Sequence, residues 1–69
     1  MNLYQIFSAN LQARMTAAGC SQSMLARQSG YSSSYVHRVL SGIQQNPTLA
    51  FVERVAAVLV TTPQAMLQP

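Results

Sequence analysis

A chain of 69 residues has room for one small domain with a single modest core, which a partner copy would help to stabilise. Four arginines against one glutamate give a net charge of +3, a sign that favours an anionic partner. One His, one Cys and one Glu, widely separated, cannot assemble a catalytic triad, a carboxylate pair or a closed metal site, so neither an enzyme nor a cofactor or metal is expected.

In chain order, Asn2 can cap a first helix running to about Ala18, with Leu3, Phe7, Leu11 and Met15 on one stripe. Gly19 ends it. Lone Cys20 excludes an internal disulfide, fits a reducing cytoplasm, and reads as a small apolar packing residue. Ser21 then supplies an N-cap for a second helix over Gln22–Ser29, which Gly30 closes because a residue without Cβ tolerates the left-handed conformation needed there. The chain turns through Tyr31 and starts again at Ser32, the N-cap of a third helix with Val36, Val39 and Leu40 facing inward and Ser33, Ser34 and Arg38 facing outward. Gly42 ends this helix and a polar loop, Ile43 to Asn46, follows.

Pro47 and Thr48 announce a fourth helix ending near Leu59, with Leu49, Val52, Val55, Ala56 and Leu59 as its core face. Thr62 and Pro63 repeat the start signal for a short last helix through Leu67. The apolar stretch from Ala50 to Val60 is broken by Glu53 and Arg54 and is too short to span a bilayer, and no basic region and long apolar core mark a signal peptide. The reading is one compact all-α domain over residues 1–69, of four to five helices, located in the cytoplasm with no membrane role.

Two short helices joined by a turn of about four residues around Gly30 form a helix-turn-helix. The turn alone leaves two readings open, a DNA reader or a plain structural hairpin. The outward chemistry favours the reader. A helix N-terminus offers unpaired amides and partial positive charge to a phosphate, and Ser32, Ser33 and Ser34 are small enough to let it approach. One turn on, Arg38 can grip O6 and N7 of a guanine with its planar fork. The charge is modest, so the salt slope of a dimer reaches at most roughly −7, and hydrogen bonds from Gln22, Gln44, Gln45 and Asn46 must carry much of the positioning.

The succession Gly19-Cys20-Ser21-Gln22, Leu25-Ala26, Gly30, Val36, Leu40-Ser41-Gly42, Asn46-Pro47-Thr48-Leu49 and Thr62-Pro63 through Met66-Leu67 resembles the lambda-repressor-like DNA-binding domain of phage repressors, Cro proteins and small bacterial regulators. The resemblance covers nearly the whole chain. It implies that Gln22 holds a phosphate and packs against the third helix, that Ser32, Ser33, Ser34 and Arg38 read base edges, and that Gln44 reaches DNA from the loop. Ser21, Arg27, Tyr35, His37 and Asn46 complete the expected phosphate contacts, with Arg14 a further candidate and Arg54 left to solvent. For Tyr35 a contact through its hydroxyl is preferred over simply covering the helix edge; for His37 a phosphate contact and plain solvation stand equal.

Three departures from the family pattern stand out. An Arg and Glu that many members pair between the first and third helices are Met15 and Leu40 here, an apolar exchange that is often neutral or stabilising. Val60 stands where the family has Gly, and because a β-branched residue resists positive φ, the fourth helix is expected to end by another route. The basic residues that usually flank the loop proline are Gln45, Asn46 and Thr48.

Beyond its core face the fourth helix still carries Phe51, Ala57 and Val58, with Val60 just after it, which suggests a partner surface. The expectation is a homodimer with Val58, Val60, Pro63 and Met66 at its interface, binding an inverted-repeat operator in double-stranded DNA. The alternative is a protein-interaction module, such as the antitoxin of a toxin-antitoxin pair, with DNA binding secondary.

Overall fold

The computed structural model describes residues 2–69. Five helices follow one another: α1 (Leu3–Ala18), α2 (Gln22–Ser29), α3 (Ser33–Ser41), α4 (Leu49–Val58) and α5 (Pro63–Met66). Every N-terminus is capped by the residue read from the sequence. Asn2, Ser21, Ser32, Thr48 and Thr62 each accept a backbone N–H through the side-chain oxygen, and Asn2 forms a reciprocal capping box with Gln5. These caps satisfy amides that a helix leaves unpaired in its first turn.

Three helices end in one shared motif. The N–H of Cys20 donates to the Met15 carbonyl at 2.9 Å, that of Tyr31 to Ala26 at 3.2 Å and that of Thr61 to Ala56 at 2.9 Å. Each bond reaches back across a residue in the left-handed region, as the Schellman arrangement requires. Two of those residues are Gly19 and Gly30, but the third is Val60, at φ 56°. The expectation that α4 would end differently is therefore corrected: the bonds closing its last turn hold even a β-branched residue at positive φ.

The core gathers Phe7, Leu11 and Met15 of α1, Leu25 and Ala26 of α2, Val36 and Val39 of α3, and the inner face of α4, with Met66 beneath them. The inner face of α4 carries Val52, Val55 and Ala56, with Leu59 after it, as expected, and departs from the expectation at two positions. Phe51 is fully buried, edge-on to Phe7, Tyr31 and Tyr35, whereas Leu49 is 77% exposed. Leu3, at the start of the α1 stripe, is also exposed. A second correction concerns Met66, which is 0% exposed and so lines no partner surface. The single turn of α5 drives this side chain into the core, where a thioether fills irregular space.

Long-range polar contacts lock the frame. The Tyr4 hydroxyl donates to the Val39 carbonyl, pinning α1 to the last turn of α3. Asn10 Nδ2 donates to the carbonyls of Met66 at 2.8 Å and Gln68 at 2.7 Å, tying the C-terminal segment to α1. Arg54 is exposed, as expected, but is not free: its guanidinium donates to the Ser29 carbonyl at the end of α2. None of the helices described is long and apolar enough to cross a membrane.

Candidate nucleic-acid interface

The stretch from Ser21 to Gly42 folds as two helices packed on each other across the turn at Gly30 and Tyr31. Gly30 adopts φ 79°, a conformation that calls for glycine; a Cβ built on it would lie 3.2 Å from Arg54 Nη1, the far end of a flexible side chain. Val36 and Val39 anchor α3 in the core at 0% exposure, which fixes the rotation of the helix about its axis. That rotation turns Ser32, Ser33, Ser34, His37 and Arg38 to the surface. Ser32 Oγ accepts the Tyr35 N–H at 3.1 Å as the cap, and its O–H remains a donor for an external acceptor. Arg38 stands one turn beyond Ser34 with its Cζ 5.8 Å from the centre of the Tyr35 ring.

An open cleft of about 580 Å³ lies between the end of α1, the start of α2 and the later turns of α3. Ser21, Gln22 and His37 line it together, with Cys20 and Leu40. Ser21 Oγ accepts the Met24 N–H at 3.2 Å, and its O–H remains a donor for an external acceptor. Met15 and Leu40 line the same cleft, in keeping with an apolar contact where many family members place an ion pair.

Of the remaining candidates, Arg27 is exposed in the last turn of α2 and Arg14 is exposed on α1. Gln44 and Asn46 sit in the loop after α3, which folds back on itself. The Gln44 N–H donates to the Arg38 carbonyl at 2.9 Å, Gln44 Nε2 to the Asn46 carbonyl at 3.1 Å, and Gln45 Nε2 to the Gly42 carbonyl at 3.0 Å. The loop is thus held against the C-terminal end of α3 by its own amides, with the Asn46 side chain exposed.

Tyr35 requires a correction. Its hydroxyl is buried with no hydrogen-bond partner, so it offers nothing to a phosphate. The ring stacks on Tyr31 at 5.3 Å and meets Phe51 edge-on at 5.0 Å, which draws the oxygen inward. Sequence reading took Tyr31 only as part of the turn and Phe51 as surplus surface, and so missed the aromatic cluster behind the helix tip.

A family model described as a helix-turn-helix domain matches residues 6–68, nearly the whole chain. The chain belongs to the helix-turn-helix domain family. The resemblance to Cro-like and repressor-like domains drawn from the sequence is borne out at this level, and so is the all-α fold of five helices. Membership of the helix-turn-helix family indicates DNA as the partner class. No curated protein and no solved structure matches the chain.

Proposed function

We propose that this helix-turn-helix protein is a sequence-specific transcriptional regulator that binds an inverted-repeat operator as a dimer, with α3 in the major groove, and blocks transcription. The observation that carries the reading is the exposed, serine-led start of α3 with Arg38 exposed one turn further on. Small hydroxyls at the tip permit close approach, the helix N-terminus attracts phosphate, and a guanidinium at this depth suits the O6/N7 pair of guanine. Ser32, Ser33, Ser34, Arg38 and Gln44 are assigned to the bases, and Ser21, Gln22, Arg27, His37 and Asn46 to phosphates.

Dimerisation fits the dimensions of the domain. Its extents are 28 × 24 × 20 Å, so two copies side by side can set their recognition helices about one helical turn, ~34 Å, apart. Val60, 90% exposed, with half-buried Val58 and Pro63 nearby, is the apolar edge assigned to the dimer axis. Doubling the half-site supplies affinity that four arginines per chain do not.

Selection of bound sequences from random duplex DNA tests this reading. An enriched inverted repeat is expected; a pool without enrichment at moderate salt overturns it. A second reading, a module that captures another protein, draws on a groove of about 450 Å³ lined by exposed Leu3 and Leu49 with Pro47 and Leu67. A toxin-like protein that copurifies in fixed stoichiometry would favour that reading.

A further inference from the structure

We propose that Tyr35 is a positioning residue for base recognition: its ring holds the Arg38 guanidinium in the orientation from which Arg38 reads its base pair. This rests on the assignment of Arg38 to the bases made above. Arg38 lies three residues after Tyr35, so both side chains fall on one side of α3, and the guanidinium carbon is 5.8 Å from the ring centre. That distance is within reach of a cation–π attraction.

The ring is itself immobilised. It lies between Tyr31, stacked at 5.3 Å with planes 25° apart, and Phe51, edge-on at 5.0 Å and 76°. Phe51 is fully buried and also meets Tyr31 at 5.0 Å, so the cluster is anchored in the core rather than resting on the surface. The orientation of the Tyr35 ring is thereby set by the core of the domain, and the ring passes it on to an exposed cation. An arginine left free in solvent must give up rotamer freedom to make two parallel hydrogen bonds to guanine, and one already docked on a fixed ring gives up less.

The buried hydroxyl marks which part of Tyr35 matters. With no partner for its oxygen, the group gains nothing from being tyrosine rather than phenylalanine. What the position supplies is a flat ring face, which aliphatic residues lack.

The test compares Tyr35→Phe, Tyr35→Leu and Arg38→Ala on the selected operator, on operators changed at each base pair, and on unrelated duplex DNA. Tyr35→Phe is expected to keep wild-type affinity and base preference. Tyr35→Leu is expected to lose about 2- to 10-fold in affinity at the one base pair per half-site that Arg38→Ala also relaxes, with affinity for unrelated DNA unchanged. In the Arg38→Ala background, Tyr35→Leu should lose nothing more. A relaxed preference in Arg38→Ala with full preference retained in Tyr35→Leu overturns the positioning role while leaving Arg38 as a base reader. An unchanged preference in Arg38→Ala overturns both. Nitrogen relaxation of the arginine Nε groups in the free wild-type protein gives an independent reading if Tyr35→Leu does not fold. Arg38 is expected to be more ordered than Arg27, and equal mobility overturns the proposal.

Discussion

The Arg54 guanidinium donates to the Ser29 carbonyl at 3.1 Å, joining the middle of α4 to the last residue of α2, 25 positions earlier. That carbonyl lies at the negative end of the α2 dipole and has no partner within its own helix, so a cation there satisfies it and steadies the turn that launches α3. Arg54→Ala should destabilise the domain by about 1 kcal/mol, the scale of a partly exposed charge-assisted hydrogen bond. In a domain of this size that lowers the unfolding midpoint by about 4–8 °C. A midpoint unchanged in a thermal scan would remove the structural role given to Arg54.

Val60 offers a prediction of opposite sign. A side chain with a Cβ at φ 56° carries a steric penalty of roughly 1–2 kcal/mol, and at 90% exposure it gains almost no packing within the protomer. Val60→Gly relieves the strain, against about 0.5–1 kcal/mol of extra unfolded-state entropy. The protomer should gain about 0.5–1 kcal/mol in urea unfolding at low concentration. Sedimentation should show weaker self-association if Val60 lies at the proposed dimer axis. A less stable protomer would mean that Val60 makes contacts that its exposure denies.

Gln22→Ala should weaken binding to every duplex alike, by about fivefold, because a phosphate contact positions the protein without reading sequence. Titration of the operator and of unrelated DNA at one salt concentration measures this. A loss confined to the operator would reassign Gln22 from backbone to bases.

The helix ends were legible because a cap is a local device. Asn2, Ser21, Ser32, Thr48 and Thr62 each act on an amide three residues away, and a window of a few residues contains the whole interaction. The core face of α4 was legible at Val52, Val55, Ala56 and Leu59, but not in its first turn, where Leu49 and Phe51 are both apolar and periodicity does not choose between them. Packing into the aromatic cluster decides for Phe51 and leaves Leu49 exposed.

The same limit explains the missed long-range contacts that hold the frame. Tyr4 to Val39, Arg54 to Ser29 and Asn10 to Met66 join residues 35, 25 and 56 positions apart, and no local pattern announces them. Ser33, Ser34 and Arg38 were placed on the outward face by helical spacing alone, since Val36 and Val39 left one orientation for α3. Tyr35 was misread because its hydroxyl suggested a polar role, while its neighbours Tyr31 and Phe51 claim the ring.

The most direct test is the affinity of Arg38→Ala for the selected operator and for operators changed one base pair at a time. The predicted loss on the true operator is about 1–3 kcal/mol, with preference relaxed at one base pair in each half-site and retained at the others. Wild-type affinity and an unaltered base profile in this variant would contradict the assignment of α3 as the element that reads DNA.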